Sequence, residues 1–130
     1  MGMLKKIFGN NTSKEVEETY LNWTPLVSVD EINTIKEISK TQPVLIFKHS
    51  TSCGISRMVI KQFEALFGIG HKSIKVYYLD LLIYREVSSK ISEVFQVTHQ
   101  SPQLLVIQNG ISVYDASHSE ITNVDISKYL

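Results

Sequence analysis

The residue in this sequence with the most chemistry to offer is its single cysteine, Cys53, which lies between Lys48-His49-Ser50-Thr51-Ser52 and Gly54-Ile55-Ser56-Arg57. A thiol attacks as its thiolate, and at an ordinary pKa of about 8.5 only roughly 3% of it is ionised at pH 7. A helix beginning at Cys53 would bring unpaired backbone N–H groups and the positive end of the helix dipole to the sulfur. Arg57, Lys48 and His49 bring positive charge to the same stretch. Lowering the pKa by two units takes about 2.7 kcal/mol of preferential thiolate stabilisation, within the combined reach of those groups. The competing reading is an inert small hydrophobe in the core. Thr51, Ser52, Gly54 and Ser56 are small and mostly polar, which suits an exposed turn, so a reactive thiol is the reading we carry forward. With one cysteine, no disulfide within the chain and no multi-cysteine zinc site can form from this chain alone.

The flanking elements must then place Cys53 between a strand and a helix. Pro43 to Phe47 is a continuous apolar run, the pattern of a strand covered on both faces in a parallel sheet. After Cys53, Ile55, Met58, Val59, Phe63, Leu66 and Phe67 recur at helical intervals, and Gly68 and Gly70 supply the stop. Upstream, Trp23, Leu26 and Val27 mark a short edge strand broken by Pro25. Ser28 with Glu31 offers a capping box for a helix carrying Ile32, Ile35 and Ile38. Downstream come a strand from Ile74 to Leu79 and a helix with Val87, Ile91, Val94 and Phe95 buried. Ser101-Pro102 follows, then two strands joined by Asn109-Gly110, the strongest short hairpin signal. Ile121, Val124, Tyr129 and Leu130 suggest a short last helix. The order βαβαβαββα implies an α/β fold, a central mixed β-sheet with helices on both faces, in which ligands bind beyond the carboxyl ends of the parallel strands.

At 130 residues the chain fits one domain, which we place at residues 21–130 behind a loose polar N-terminal tail at 1–20. Thirteen basic and thirteen acidic residues leave no net charge, so no global field draws the protein onto nucleic acid or an anionic membrane. No apolar run has transmembrane or signal-peptide length, and a cytoplasmic protein is expected. His49 is a candidate proton shuttle or simply a strand-end residue; Lys48 is a candidate anion anchor or a solvated strand-end lysine. Arg57 is the better contact for carboxylates, because guanidinium grips them bidentately. Trp23, Tyr77, Tyr78 and Tyr84 are expected to pack, and Asp80 is a candidate buried acid. His71, His99 and His118 are expected at the surface, and no metal-ligand spacing links them.

The strand, the cysteine at a helix start and the later Ser101-Pro102 together resemble the thioredoxin superfamily, in which that proline is cis and its loop faces the cysteine. The run from Pro43 through Phe47-Lys48-His49-Ser50-Thr51 to Cys53-Gly54-Ile55-Ser56, preceded by Trp23, is more specifically similar to the monothiol bacilliredoxins, the redox proteins of the bacillithiol system. The resemblance covers roughly Trp23 to the C-terminus. It implies that Cys53 attacks a mixed disulfide between a client protein and bacillithiol, taking the small thiol onto itself. It also implies that Ser56 stands where dithiol relatives carry a resolving cysteine, so that a second thiol regenerates the enzyme. Lys48, His49, Gly54 and Ser56 would support the nucleophile. Thr51, Arg57 and the Ser101-Pro102-Gln103 loop would hold the small thiol or an extended client peptide. Client proteins and a low-molecular-weight thiol are the partners implied, with no tightly bound cofactor and bacillithiol as co-substrate. Gly54, where relatives often carry Pro, brings the motif close to the Cys-Gly-Phe-Ser of monothiol glutaredoxins. The alternative reading is therefore a [2Fe–2S] cluster held by Cys53 from two copies together with two small thiols.

Overall fold

The computed structural model describes residues 21–50, 54–68 and 74–129. The polar stretch 1–20, Thr51 and Cys53, Gly70 and His71, and Leu130 lie outside the described residues. The elements run β1 (Trp23–Pro25), α1 (Asp30–Ile38), β2 (Val44–His49), α2 (Gly54–Glu64), β3 (Lys75–Asp80), α3 (Arg85–Phe95), β4 (Gln103–Gln108) and β5 (Ile111–Ser117). Two 3-10 turns follow, His118–Asn123 and Ile126–Lys128. They replace the expected final helix. Ile121, Val124 and Ile126 are all buried, and in an α-helix the first and last of these would lie on different faces.

Among the described residues the sheet has the order β1-β3-β2-β4-β5. β1, β3 and β2 run parallel, and β4 and β5 are antiparallel. All of β2 is buried, as a strand covered on both faces must be. Its side chains alternate between two cores. Leu45 and Phe47 join Val59 and Phe63 of α2, with Leu104 and Val106 of β4. Val44 and Ile46 join Ile32 and Ile35 of α1 and Val87, Ile91 and Phe95 of α3. The helices thus divide between the two faces, α2 on one and α1 with α3 on the other. Each fully buried aliphatic or aromatic side chain contributes about 1.5–3 kcal/mol.

The apolar stripe expected on α2 divides. Ser56, Val59, Phe63 and Phe67 are buried, whereas Ile55 and Met58 are 61% and 55% exposed and Leu66 is also exposed. One helix face seats on the sheet, and residues one position away from it turn outward. At α1, Glu31 reaches back to the amides of Ser28 (3.2 Å) and Val27 (2.9 Å), half of the expected box. The residue at the N-cap, Val29, has no side-chain cap.

The hairpin forms where Asn109-Gly110 predicts it, both residues having positive φ (55° and 79°), as a two-residue turn of that hand requires. Its tip is tied to the end of α1. The amides of Asn109 and Gly110 donate to the carbonyl and the hydroxyl of Ser39, each at 2.8 Å.

Candidate active site

β2 and β3 deliver their carboxyl ends side by side, the amide of Leu81 donating to the carbonyl of His49 at 3.1 Å. At this edge the alternation of β2 sends Lys48 and His49 to opposite faces of the sheet. His49 lies on the α2 side, 2% exposed. Its ring sits 5.2 Å from that of Tyr78 and 6.1 Å from that of Phe47. Burial pushes its pKa below the ordinary value; Asp80 opposes that shift and Arg57 adds to it. At neutral pH His49 is therefore mainly the uncharged imidazole and does not supply the positive charge expected of it beside Cys53. Its Nδ1 is buried without a hydrogen-bond partner among the described residues.

Lys48 faces the α3 side and is fully buried, which removes the solvated strand-end reading. Its Nζ donates to Ser92 Oγ at 3.3 Å. Burial pushes its pKa down to about 8, so most of it remains protonated at pH 7. Both residues end a strand whose every position is covered, which is why neither reaches water.

α2 opens with Gly54, directly after Cys53 in the sequence. A Cβ at Gly54 would meet nothing nearer than Arg57 Nη2 at 4.0 Å, so local packing does not demand glycine there. Arg57 is exposed on the first turns of α2, and its charge reaches His49. Ser56 is 1% exposed, and its hydroxyl has no partner among the described residues.

The Ser101–Pro102 peptide bond is cis. Pro102 is buried, and its carbonyl accepts the amide of His118 at 3.0 Å. Gln103 belongs to β4 rather than to the loop: it pairs with Lys48 of β2 and Ser117 of β5. Of the three expected loop residues, only Ser101 and Pro102 lie outside the ladder. Gln103 donates from Nε2 to the carbonyl of Thr98 at 2.9 Å, and its Oε1 is buried without a donor.

Trp23 packs as expected, its ring 5.9 Å from Phe47 and 6.1 Å from Tyr78, with Nε1 donating to Glu64 Oε2 at 2.7 Å. Tyr77 is buried, and Tyr84 packs against the α1 and α3 core. Asp80 is buried as expected, and its Oδ1 accepts the amide of Leu82 at 3.2 Å. His118 and His99 are exposed. Ser92, the hydrogen-bond partner of Lys48, is not singled out by the sequence, and His99, expected only as a surface residue, lies within reach of the Lys48 charge. Ser92 lies 44 residues from Lys48, and no spacing rule connects the two. Among the described residues no cluster of three or more His, Cys, Asp or Glu is placed to hold a metal ion. No described helix is long and apolar enough to cross a membrane.

The fold is shared with known redox proteins. A thioredoxin-fold protein described as a candidate oxidoreductase aligns with a TM-score of 0.70 at 27% identity, over 82% of this chain and 92% of its own. Thioredoxin from Fasciola hepatica aligns with a TM-score of 0.65 at 19% identity, over 82% of this chain and 98% of its own. Thioredoxin from Trypanosoma brucei brucei gives a TM-score of 0.65 at 17% identity, over 84% and 94%. These similarities establish a thioredoxin fold. The family model for the monothiol bacilliredoxin BrxC matches residues 24–126, a span that runs through the strand, the Cys53 motif and the cis-proline loop. On that match over most of its length, the chain belongs to the monothiol bacilliredoxin family.

Proposed function

We propose that this protein is a cytosolic monothiol thiol–disulfide oxidoreductase that removes bacillithiol from S-thiolated client proteins. The observation that carries the reading is the family match across residues 24–126, with Cys53 inside it. The thiolate of Cys53 attacks the bacillithiol sulfur of the client's mixed disulfide. The Cys53–bacillithiol disulfide forms as the client–bacillithiol disulfide breaks, and the client cysteine leaves as a thiolate that takes up a proton. A second thiol then attacks the adduct, releasing a small-molecule disulfide and restoring Cys53. With Ser56 three residues on, no internal disulfide competes with that second step.

The described surroundings support parts of this chemistry. Arg57 is an exposed cation on the first turns of the helix that follows Cys53, and His49 is the buried neutral base at the end of the strand that precedes it. An attacking thiol works best with a pKa near ambient pH, because nucleophilicity falls as thiolate fraction rises. Thr51 and the backbone at Ser101 are assigned to the incoming thiol or peptide.

The test is a direct transfer. A client protein bearing a bacillithiol mixed disulfide is incubated with this protein at neutral pH, and both are weighed by intact mass spectrometry. The adduct should move to Cys53, the client should be released reduced, and Cys53→Ser should abolish both. Absence of transfer from the wild-type protein rejects the reading.

A further inference from the structure

A cleft of about 500 Å³ opens on the α3 side of the sheet, within the range of about 300–1,000 Å³ typical of small-molecule sites. Leu81 and Leu82, from the turn after β3, form its apolar wall. Its polar lining is Arg85, Ser88, Ser89 and Ser92 of α3 together with His99. Every polar group on that lining can donate a hydrogen bond, and none of the residues is an acid.

Beneath the lining lies a buried charge. The Lys48 ammonium is fully buried, and the partner the structure gives it is the neutral hydroxyl of Ser92. Its cross-strand neighbour Gln103 has a buried Oε1 with no donor, yet Lys48 turns to the cleft residue instead. A buried ammonium without a counter-charge is costly. Because Ser92 Oγ accepts from Lys48, its own proton is left to donate elsewhere, and the adjacent positive charge strengthens it as a donor. The Lys48 field also reaches His99, whose Nδ1 lies 3.4 Å from Ser88 Oγ. At the rim, Arg85 is exposed. The ion pairs among the described residues are Lys40 with Glu37 and Lys90 with Glu93, so neither Arg85 nor Lys48 has a carboxylate partner there.

We infer that this cleft is a binding site for the carboxylate group of a small organic anion, gripped by Arg85 and the α3 serines, with Lys48 acting through Ser92 as a positioning residue. A carboxylate supplies strong acceptors to the donors of this lining and the counter-charge that Lys48 and Arg85 lack. The apolar wall suits the carbon frame of such a ligand. The site requires no thiol chemistry, so it stands or falls independently of the exchange proposed for Cys53. Two sources share this chemistry: a free small carboxylate, or a carboxylate carried by the low-molecular-weight thiol itself.

The experiment titrates isotopically labelled full-length Cys53→Ser protein with succinate at constant ionic strength, read by NMR. Saturable shifts are expected at the amides of Ser88, Ser89 and Ser92 and at the His99 ring, together with a rise in the His99 pKa as a negative charge arrives. Arg85→Gln should weaken binding about tenfold or more, the loss expected when a hydrogen bond to a charged group is removed. Ser92→Ala should weaken it too. Shifts that fail to saturate, that spread evenly over the surface, or that persist unchanged in Arg85→Gln overturn the site. A second titration uses the wild-type protein carrying a carboxylate-bearing small thiol as a mixed disulfide on Cys53. Cleft shifts present before succinate is added assign the site to the tethered thiol, and an unchanged succinate isotherm assigns it to a free carboxylate.

Discussion

Lys48 shows how one covered strand end changes a side chain's chemistry. Its pKa is about 8 in the fold against an ordinary lysine value of 10.5, so the folded state binds this proton less tightly than the unfolded chain. The destabilisation is therefore fully present below pH 8 and is relieved as pH rises from 8 towards 10.5, where the unfolded lysine also loses its proton. Lys48→Met removes the buried charge while keeping most of the volume. Urea unfolding should find this variant more stable than wild type by about 1–3 kcal/mol at pH 7, with the gap narrowing by pH 9.5 or so. A gap independent of pH would contradict this account. His49 responds in a similar way to its neighbours. Because Arg57 lowers its pKa and Asp80 raises it, Arg57→Gln should shift the imidazole titration followed by NMR upward, and Asp80→Asn should shift it downward. Both shifts should leave the burial contribution in place. Acidification through the lowered pKa of His49 should cost stability, since the unfolded imidazole takes up its proton first.

Between elements, the tie from α1 to the β4–β5 hairpin is the contact most exposed to a single substitution. Ser39 is buried, its hydroxyl accepts the Gly110 amide at 2.8 Å, and it donates to the carbonyl of Lys36 at 2.7 Å. Ser39→Ala leaves the Gly110 amide without this acceptor and should cost about 1–2 kcal/mol. Amide exchange at Gly110 should quicken more than at Val106 in the middle of β4. Equal protection at Gly110 in both proteins would show that the backbone bond from Asn109 holds the tip unaided. The hairpin itself was legible in the sequence because Asn109-Gly110 is a local signal satisfied by local backbone conformation. The split stripe of α2 was not. Ile55, Met58 and Leu66 satisfy the same three-and-four spacing as the buried residues, and which face seats on the sheet is settled by the docking of α2 on Leu45 and Phe47.

Across the whole molecule, two cores share one sheet, and β2 contributes alternate side chains to both. Opening either face strips water-excluding contacts from the same strand, so the domain should unfold as a unit. Trp23, the single tryptophan, reports on the α2 face through Phe47, Phe63 and Tyr78. Its fluorescence should change over the same urea range as the far-UV circular dichroism, which also includes α1 and α3. A fluorescence midpoint clearly below the helical one would mean that the two faces come apart separately.

The sequence by itself determined the element order as far as the β4–β5 hairpin, the mixed sheet and the family, because buried-strand runs, helical periods and the motif around Cys53 are properties of neighbours along the chain. It also marked Lys48 and His49 as residues of interest, but not what they are. Tertiary structure alone decided that adjacent residues of β2 face opposite cores, one as a buried ammonium under Ser92 and the other as a neutral imidazole beside Tyr78. Their partners come from α3 and β3, and only the closing of helices over both faces of the sheet excludes the water that would otherwise have kept Lys48 and His49 ordinary.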